Sequence, residues 1–356
     1  MTAVRERETS PDDTTANSAR VLRERTAAVL LELEAYHGGR ENLTARHVLS
    51  ALGAANLMDP RPQHVTTRAE LLVDVLDPVQ AAAVAAHTDV ALPALAEAGP
   101  GTMEQDVPPA RRGAWIFAFP LTDPPARLEL TPVPGGLRIS GLASGYPAGE
   151  DADAFLVPLA APHDGGCPAA VVSTGAESVR LVPSDARRPT AAWELSDVFV
   201  PHDRVVRVSD RRRAAARLWL AAYELGAARL ELNRTCRLLK MRRSFGVPLS
   251  RHQAVGFRLA DLAARTDGVQ ALVEAAAEDG ITAFDPLLAV AELHASRLLW
   301  DVAAQCLHLH GAAGQVAGSA THRLLTEARS LAITRNVDQR AAEAVRAAKG
   351  WLDGHR

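Results

Sequence analysis

Four segments near the C-terminus repeat their apolar residues at helical spacing, and this pattern constrains the fold more than any other feature of the chain. In the first segment, leucines recur every seven residues, at Leu218, Leu225, Leu232 and Leu239. The following segments, within 255–276, 288–309 and 324–348, step by three and four residues. Spacings of three, four and seven place side chains on one face of a helix. The pattern therefore predicts an antiparallel four-helix bundle over residues 208–350.

The part of the chain ahead of the bundle changes from helical to strand-like spacing near residue 110. Residues 21–109 contain short Ala- and Leu-rich runs and are predicted to form an N-terminal helical domain. Residues 110–207 alternate in short runs separated by Gly, Pro and Asp, with a hairpin signal at Pro134-Gly135-Gly136. They predict a middle β domain. Residues 1–20 are polar and lack the apolar core of a secretory signal, so we expect a disordered leader.

Composition excludes several classes of function. The 39 basic and 42 acidic side chains leave a net charge of −3, which gives no field to attract nucleic acid or an anionic membrane. No apolar run reaches the roughly 18–20 residues that span a bilayer, and we expect a cytoplasmic protein. Cys167, Cys236 and Cys306 lack the spacing of metal ligands, and the two in the bundle, Cys236 and Cys306, are expected to fill the core. No metal site is predicted.

Motifs inside and ahead of the bundle carry a resemblance to a known family. Arg242–Gln253 reads RRSFGVPLSRHQ, and the helix end His308–Gly314 reads HLHGAAG. Upstream lie AWELSDVFVPHDRVV at Ala192–Val206 and EQDVPPARRGAWIFAFPLTDPP at Glu104–Pro125. In this order and spacing the motifs resemble those of acyl-CoA dehydrogenases. The resemblance implies a mostly α protein with a middle β domain: N-terminal helices, a β-barrel-like domain and a C-terminal four-helix bundle.

The resemblance also implies FAD as cofactor. In the family, an Arg after the first bundle helix, the residue two later and the next Gln contact the FAD of a neighbouring subunit. A guanidinium suits a pyrophosphate because it donates in a fixed fork, although Arg at a helix end also compensates the helix dipole. The family's Gly-x-x-Gly helix end lies against the adenine side of FAD, where missing side chains admit close approach. The candidate cofactor residues are Thr122, Arg242, Ser244, Phe245, Gln253, His308, Gly311 and Gly314.

Some family features are altered. His308 stands where the family has Gln, and Ala312 replaces its second Gly. The Trp-x-Thr/Ser-Asn segment that faces the isoalloxazine falls on Gly145–Ala148, where Tyr146 is the only aromatic residue. The resemblance therefore leaves open whether FAD is bound weakly, bound differently or lost.

The largest departure concerns the catalytic base. Removing the α-proton of an acyl thioester needs a carboxylate near Cα, while hydride leaves Cβ for the flavin. The two positions at which family members carry this Glu are Arg335 and Ala216 here, and an Arg stays protonated at neutral pH. Asp338 and Glu224 are candidate substitutes, and both are alternatively interpreted as structural acids. The catalytic residues stay unassigned.

Three functions follow from the resemblance and its departures. The first is a flavoprotein acting on an acyl thioester, carried by CoA or a carrier protein, in a specialised pathway and without the usual Glu. The second is a non-catalytic subunit of a heteromeric acyl-CoA dehydrogenase. The third is a flavin-dependent oxygenase on the same fold, which needs no α-proton base. The expected partners are an acyl thioester and further subunits, in a homo-oligomer or in a hetero-oligomer with another acyl-CoA dehydrogenase-like chain.

Overall fold

The chain follows the predicted order of helices, strands and helices. The computed structural model describes residues 11–39, 43–58, 69, 71–73, 75–98, 102–120, 128–160, 166–182, 190–277, 285–316, 319–335 and 337–348. Across these residues the protein is mostly helical, with two β-sheets in the middle. The predicted fold class is therefore confirmed.

The N-terminal part consists of helices that bury Ala- and Leu-rich faces. The helices are α1 (Pro11–His37), α2 (Ala45–Ala54), α3 (Pro78–Ala85), α4 (Leu92–Glu97) and α5 (Val107–Arg111). Local signals fix two of the starts: Thr44 caps α2 by accepting from the His47 backbone, and Asp77 caps α3 ahead of Pro78. A π-helical turn, Ala86–Ala91, joins α3 to α4, so one helix runs over Pro78–Glu97.

This long helix corrects one expectation from the sequence. Pro78–Glu97 is long and apolar enough to cross a membrane, although no run of that length was recognised in the sequence. In the structure 83% of its most apolar window is buried inside the protein. It packs against the first bundle helix and serves as a core helix.

The predicted disordered leader is also too long. Helix α1 begins at Pro11, so 11–20 of the predicted leader 1–20 are helical, and residues 1–10 lie outside the described residues. Pro at the first helical position and acids in the first turn, here Asp12 and Asp13, favour a helix start. These helix-start residues are visible in the sequence, but the polar composition of residues 1–20 favoured a disordered leader.

The middle domain contains two four-stranded sheets that enclose one core. The first sheet has the order β1 (Phe117–Ala118), β4 (Ala154–Pro158), β5 (Cys167–Ser173) and β8 (Val205–Val208). The second has the order β2 (Leu128–Val133), β3 (Gly136–Pro147), β7 (Thr190–Pro201) and β6 (Val179–Val182). Phe155 and Trp193 stack between the sheets with ring centroids 4.1 Å apart, and Tyr146 meets Trp193 edge-on.

The C-terminal part is the predicted bundle. Its helices are α6 (Asp210–Met241), α7 (Gln253–Ala275), α8 (Pro286–His310), α9 (Ala320–Arg335) and α10 (Val337–Ala348). Helix α8 packs against each of the others and carries a continuous buried stripe. The fourth predicted run, 324–348, is divided between α9 and α10. A short hairpin, β9 (Arg243–Ser244) paired with β10 (Val247–Pro248), connects α6 to α7.

Candidate functional site

The structure brings together two candidate residues that lie far apart in the sequence. Arg242 follows the last residue of α6, and Gly311 follows the last residue of α8. The Arg242 Nη1 atom donates to the carbonyl oxygen of His310 at 3.1 Å. A Cβ on Gly311 would lie 3.3 Å from the same Nη1, so the guanidinium is packed directly against this turn. The side chain of Arg242 is exposed on its other side.

The hairpin after Arg242 fixes the positions of Ser244, Phe245 and Gln253. Phe245 and Gly246 form its two-residue turn with φ of 48° and 80°, and the Phe245 ring is 96% exposed. The Ser244 carbonyl lies 3.3 Å from Nε2 of His252, the residue that caps α7. Gln253 is then the exposed first residue of α7. The hairpin therefore gathers these candidates beside Arg242 on the protein surface.

The turn after α8 requires both of its glycines. Gly311 has φ of 64° and ψ of −141°, a conformation that strains any residue with a Cβ. A Cβ on Gly314 would lie 2.7 Å from the Leu307 carbonyl oxygen and 2.9 Å from Cβ of His310. His308 is exposed, and its carbonyl accepts from the Gly311 amide. The turn thus presents backbone in place of side chains next to an exposed guanidinium.

The β-domain half of the candidate site is less complete. Thr122 lies outside the described residues. Tyr146, in the segment that replaces the family's Trp-x-Thr/Ser-Asn, is 1% exposed and donates its hydroxyl to the Leu156 carbonyl at 3.0 Å. Burial raises the pKa of this phenol. Tyr146 is a core residue of the β domain.

The structure places no described carboxylate side chain at either family base position. Ala216 is buried within α6, and Arg335 is the last residue of α9. Asp338, a candidate substitute, is exposed and forms an ion pair with Arg297, as expected of a structural acid. Glu224, the other candidate, is 1% exposed within α6.

A buried ion pair that the sequence did not indicate lies next to Ala216. Arg217 Nε donates to Glu292 Oε2 at 2.9 Å, which ties α6 to α8 with both side chains buried. One helical turn further, Trp219 stacks on Tyr223 with their centroids 5.6 Å apart, and the Tyr223 hydroxyl donates to the Leu76 carbonyl. The leucine spacing on α6 indicated a buried face, but no local signal indicated these residues or their partners.

A cavity of about 460 Å³ lies between the N-terminal helices and the bundle, bordered by α3, α6 and α9. Aliphatic side chains and Tyr223 form most of its wall. The charged lining residues are two cations, Arg234 and Arg323, and two acids, Asp77 and Glu231. Because these charges balance, the lining does not select a ligand of either sign.

Comparison with known families finds a match in the C-terminal part of the chain. Residues 207–345 match the profile of the family described as acyl-CoA dehydrogenase, C-terminal domain. The match covers the part of the chain that contains both Arg242 and the Gly311 turn. The predicted family resemblance is thus confirmed.

Two solved structures share the fold over nearly the whole chain. One is a glutaryl-CoA dehydrogenase from Mycobacterium smegmatis in complex with FADH2, with TM-score 0.76 and 16% identity over 94% of this chain and 95% of that one. The other is the ChsE4-ChsE5 complex from Mycobacterium tuberculosis, with TM-score 0.73 and 22% identity over 98% and 99%. At these identities the likeness shows the fold alone, which is that of acyl-CoA dehydrogenases.

The sequence also matches curated proteins over a shorter stretch. The acyl-[acyl-carrier-protein] dehydrogenase MbtN of Mycobacterium bovis is 32% identical over 133 residues, which are 35% of this chain and 34% of MbtN. The alignments with the first curated relatives span about a third of those relatives' length. They therefore show sequence similarity over one part of these proteins and do not assign a substrate or an activity to this chain.

Proposed function

We propose that this chain is an acyl-CoA dehydrogenase-like flavoprotein that binds FAD and acts on an acyl thioester without the family's usual carboxylate base. The contact between the Arg242 guanidinium and the Gly311 turn carries the proposal. An exposed donor fork beside a glycine, which has no side chain, fits a phosphate group that must come close to the backbone. The family match of the bundle and the FADH2 complex of a similar fold support the same cofactor.

The chain's own residues bind and orient the cofactor in this proposal. FAD, when bound, supplies the hydride acceptor for oxidation of the acyl group. Arg242 donates to the phosphate oxygens, and Gly311 lets the backbone approach them. The first turn of α7, which begins at Gln253 in the same surface region, adds backbone N–H groups that favour an anion. A relative named as an acyl-[acyl-carrier-protein] dehydrogenase supports a carrier-bound thioester as one substrate class.

A second candidate is a non-catalytic subunit that completes the flavin site of another acyl-CoA dehydrogenase-like chain. The observation that favours it is the lack of a described carboxylate at Ala216 or Arg335, together with the ion pair that engages Asp338. A fold neighbour whose title names a complex of two chains supports such an assembly.

Either function includes assembly with a further subunit. The surface around Arg242 exposes several large apolar side chains: Met241 at 73%, Phe245 at 96% and Phe257 at 67%. Clustered apolar side chains at a surface indicate an interaction site. We expect light scattering of the purified chain, alone or mixed with a cognate partner, to give a mass above the monomer mass of 37.9 kDa. A monomer in both samples at micromolar concentration would count against this part of the proposal.

Titration of the purified full chain with FAD, followed by anaerobic addition of thioesters, separates the candidates. Butyryl-CoA, octanoyl-CoA and an octanoyl carrier-protein thioester serve as probes. Bound flavin that one of these bleaches supports the enzyme. Flavin that binds but stays oxidised with all three supports the subunit. Failure to bind FAD, alone or with a partner chain, contradicts both.

A further inference from the structure

A buried polar cluster lies directly behind the Arg242–Gly311 contact. Its members are Glu231 and Thr235 on α6, His310 at the end of α8, and Thr321 in the first turn of α9. Glu231, Thr235 and Thr321 are at most 3% exposed. One carboxylate therefore sits in the interior where three bundle helices meet.

The contacts within this cluster connect the three helices. The Thr321 hydroxyl donates to Glu231 Oε1 at 2.6 Å. His310 Nε2 lies 3.0 Å from Thr235 Oγ1 and 3.9 Å from the same Oε1 of Glu231. A buried carboxylate is costly unless donors satisfy it, so this geometry is constrained. The carboxylate holds the start of α9 and faces the last side chain of α8.

His310 links the cluster to the turn that begins at Gly311. Its ring faces Glu231, while its backbone carbonyl accepts from Arg242 and its chain neighbour is Gly311. The other end of the turn is tied to the same helix start, because the Ser319 hydroxyl donates to the Gly314 carbonyl at 3.0 Å. Both ends of the 310–314 turn thus depend on how α9 is seated against α6.

We propose that Glu231 and Thr321 are positioning residues for the flavin phosphate: they seat α9 and His310 so that the His310 carbonyl and Gly311 hold the Arg242 guanidinium toward the ligand. The inference rests on the proposed function, since it assumes that Arg242 meets FAD. It assigns a role in ligand binding to side chains that lie in the interior and touch no ligand. A purely structural role in the bundle is the competing explanation.

The test compares two buried threonines. Thr321→Val removes the donor to Glu231 while keeping the shape of the side chain. The matched control is Thr266→Val on α7, whose buried hydroxyl donates only within its own helix, to the Leu262 carbonyl at 2.7 Å. We expect Thr321→Val to weaken FAD binding about tenfold, since the lost hydrogen bond has a charged acceptor. Thr266→Val should lower the melting temperature without weakening FAD binding, and Thr321→Ser should restore wild-type affinity.

A double-mutant cycle gives the sharper readout. If Thr321 acts through Arg242, then Thr321→Val should have almost no further effect on FAD affinity in an Arg242→Ala background. Equal weakening in both backgrounds would overturn the proposal, as would wild-type affinity in the Thr321→Val protein. Wild-type protein that binds no FAD would instead overturn the proposed function, and the positioning role with it.

Discussion

Cofactor binding should depend most on the guanidinium group of Arg242. We expect Arg242→Ala to weaken FAD binding at least about tenfold, because charged hydrogen bonds to a phosphate are lost. Arg242→Lys should recover only part of the affinity, since an ammonium cannot donate as a fork. Fluorescence titration with FAD measures both. Arg180→Ala serves as control, because Arg180 lies in the β domain and pairs with Glu194. Wild-type affinity in Arg242→Ala would show that the phosphate binds elsewhere.

Gly311 is expected to tolerate no side chain. In Gly311→Ala the new Cβ would combine a φ of 64° with a 3.3 Å approach to Arg242. A strained backbone of this kind costs on the order of 1–3 kcal/mol, so the melting temperature should fall and FAD binding should weaken. Gly268→Ala on α7 is the matched control, because nothing lies within 4 Å of its added Cβ and helix propensity favours Ala. Equal melting temperatures for the two variants would contradict this account of the turn.

For individual residues, the sequence indicated which ones belong to the candidate site but not which residues they contact. Motif order pointed to Arg242 and Gly311, and the structure joins Arg242 to His310, the residue before Gly311, across 68 residues. In contrast, no local pattern shows that Asp338 pairs with Arg297, 41 residues away, or that Glu231 faces His310. Such pairs depend on how helices are seated against each other, which periodicity does not specify.

The π-helical turn within Pro78–Glu97 holds a histidine that should make stability depend on pH. The His87 ring is fully buried, accepts from the Phe117 amide through Nδ1 and donates to the Ala110 carbonyl through Nε2. Burial lowers its pKa from the ordinary 6.5 to about 4. As the pH falls, the His87 imidazole therefore becomes protonated in the unfolded chain at a higher pH than in the folded protein. Stability should be complete above about pH 6.5 and should fall as the pH drops toward 4, by up to about 1.4 kcal/mol per pH unit.

Urea unfolding at pH 7.5, 6 and 5 measures this dependence. His87→Gln removes the titration and should flatten the stability profile between pH 6.5 and 4, although the variant is less stable at neutral pH. His294→Gln is the control, because His294 is exposed on α8. A wild-type profile that runs parallel to that of His87→Gln would mean that other groups dominate acid unfolding.

Elements with a strong period could be predicted from the sequence, and elements fixed by tertiary contacts could not. The stripes of α6, α7 and α8 and the alternation of β3 and β7 are local signals, and the structure confirms them. The division of the fourth run into α9 and α10 required packing information, whereas the start of α1 at Pro11 has local signals in the sequence. The two-residue turn at Phe245-Gly246 is a further case: Gly246 signals a turn, but the pairing of β9 with β10 is not visible in so few residues.

At the scale of the whole molecule, the three parts meet around α6. Its N-terminal half packs against Pro78–Glu97, where Arg212 forms an ion pair with Glu97, and Tyr223 donates to the Leu76 carbonyl just ahead of that helix. Its C-terminal half ends at Arg242 and the exposed hairpin. One helix thus links the region where the family's second base position falls, at Ala216, with the proposed flavin-phosphate site. The distance along the helix is about 39 Å at 1.5 Å per residue, so these are two separate regions of one protomer.

The missing base can be tested separately from cofactor binding. With a ferrocenium acceptor, the wild-type chain should bind FAD yet oxidise butyryl-CoA or octanoyl-CoA negligibly, which fits the non-catalytic subunit or an enzyme that accepts only carrier-bound thioesters. Arg335→Glu supplies a carboxylate at the end of α9, where the resemblance places the base, and should raise turnover. General-base catalysis is worth about 10²–10⁴-fold, so even an imperfectly placed Glu should register above background.

Arg335→Gln is the matched control for this substitution, because it removes the positive charge without adding a base and should stay inactive. Asp338→Asn should change nothing in either background, since that carboxylate is engaged with Arg297. Robust turnover by wild type would show that another acid serves as base. Its loss in Asp338→Asn would then identify that acid and contradict the structural role given to Asp338 here. Flavin-loaded protein that is inactive with Arg335 and active with Glu at this position would show that the substitution alone had suppressed the family reaction.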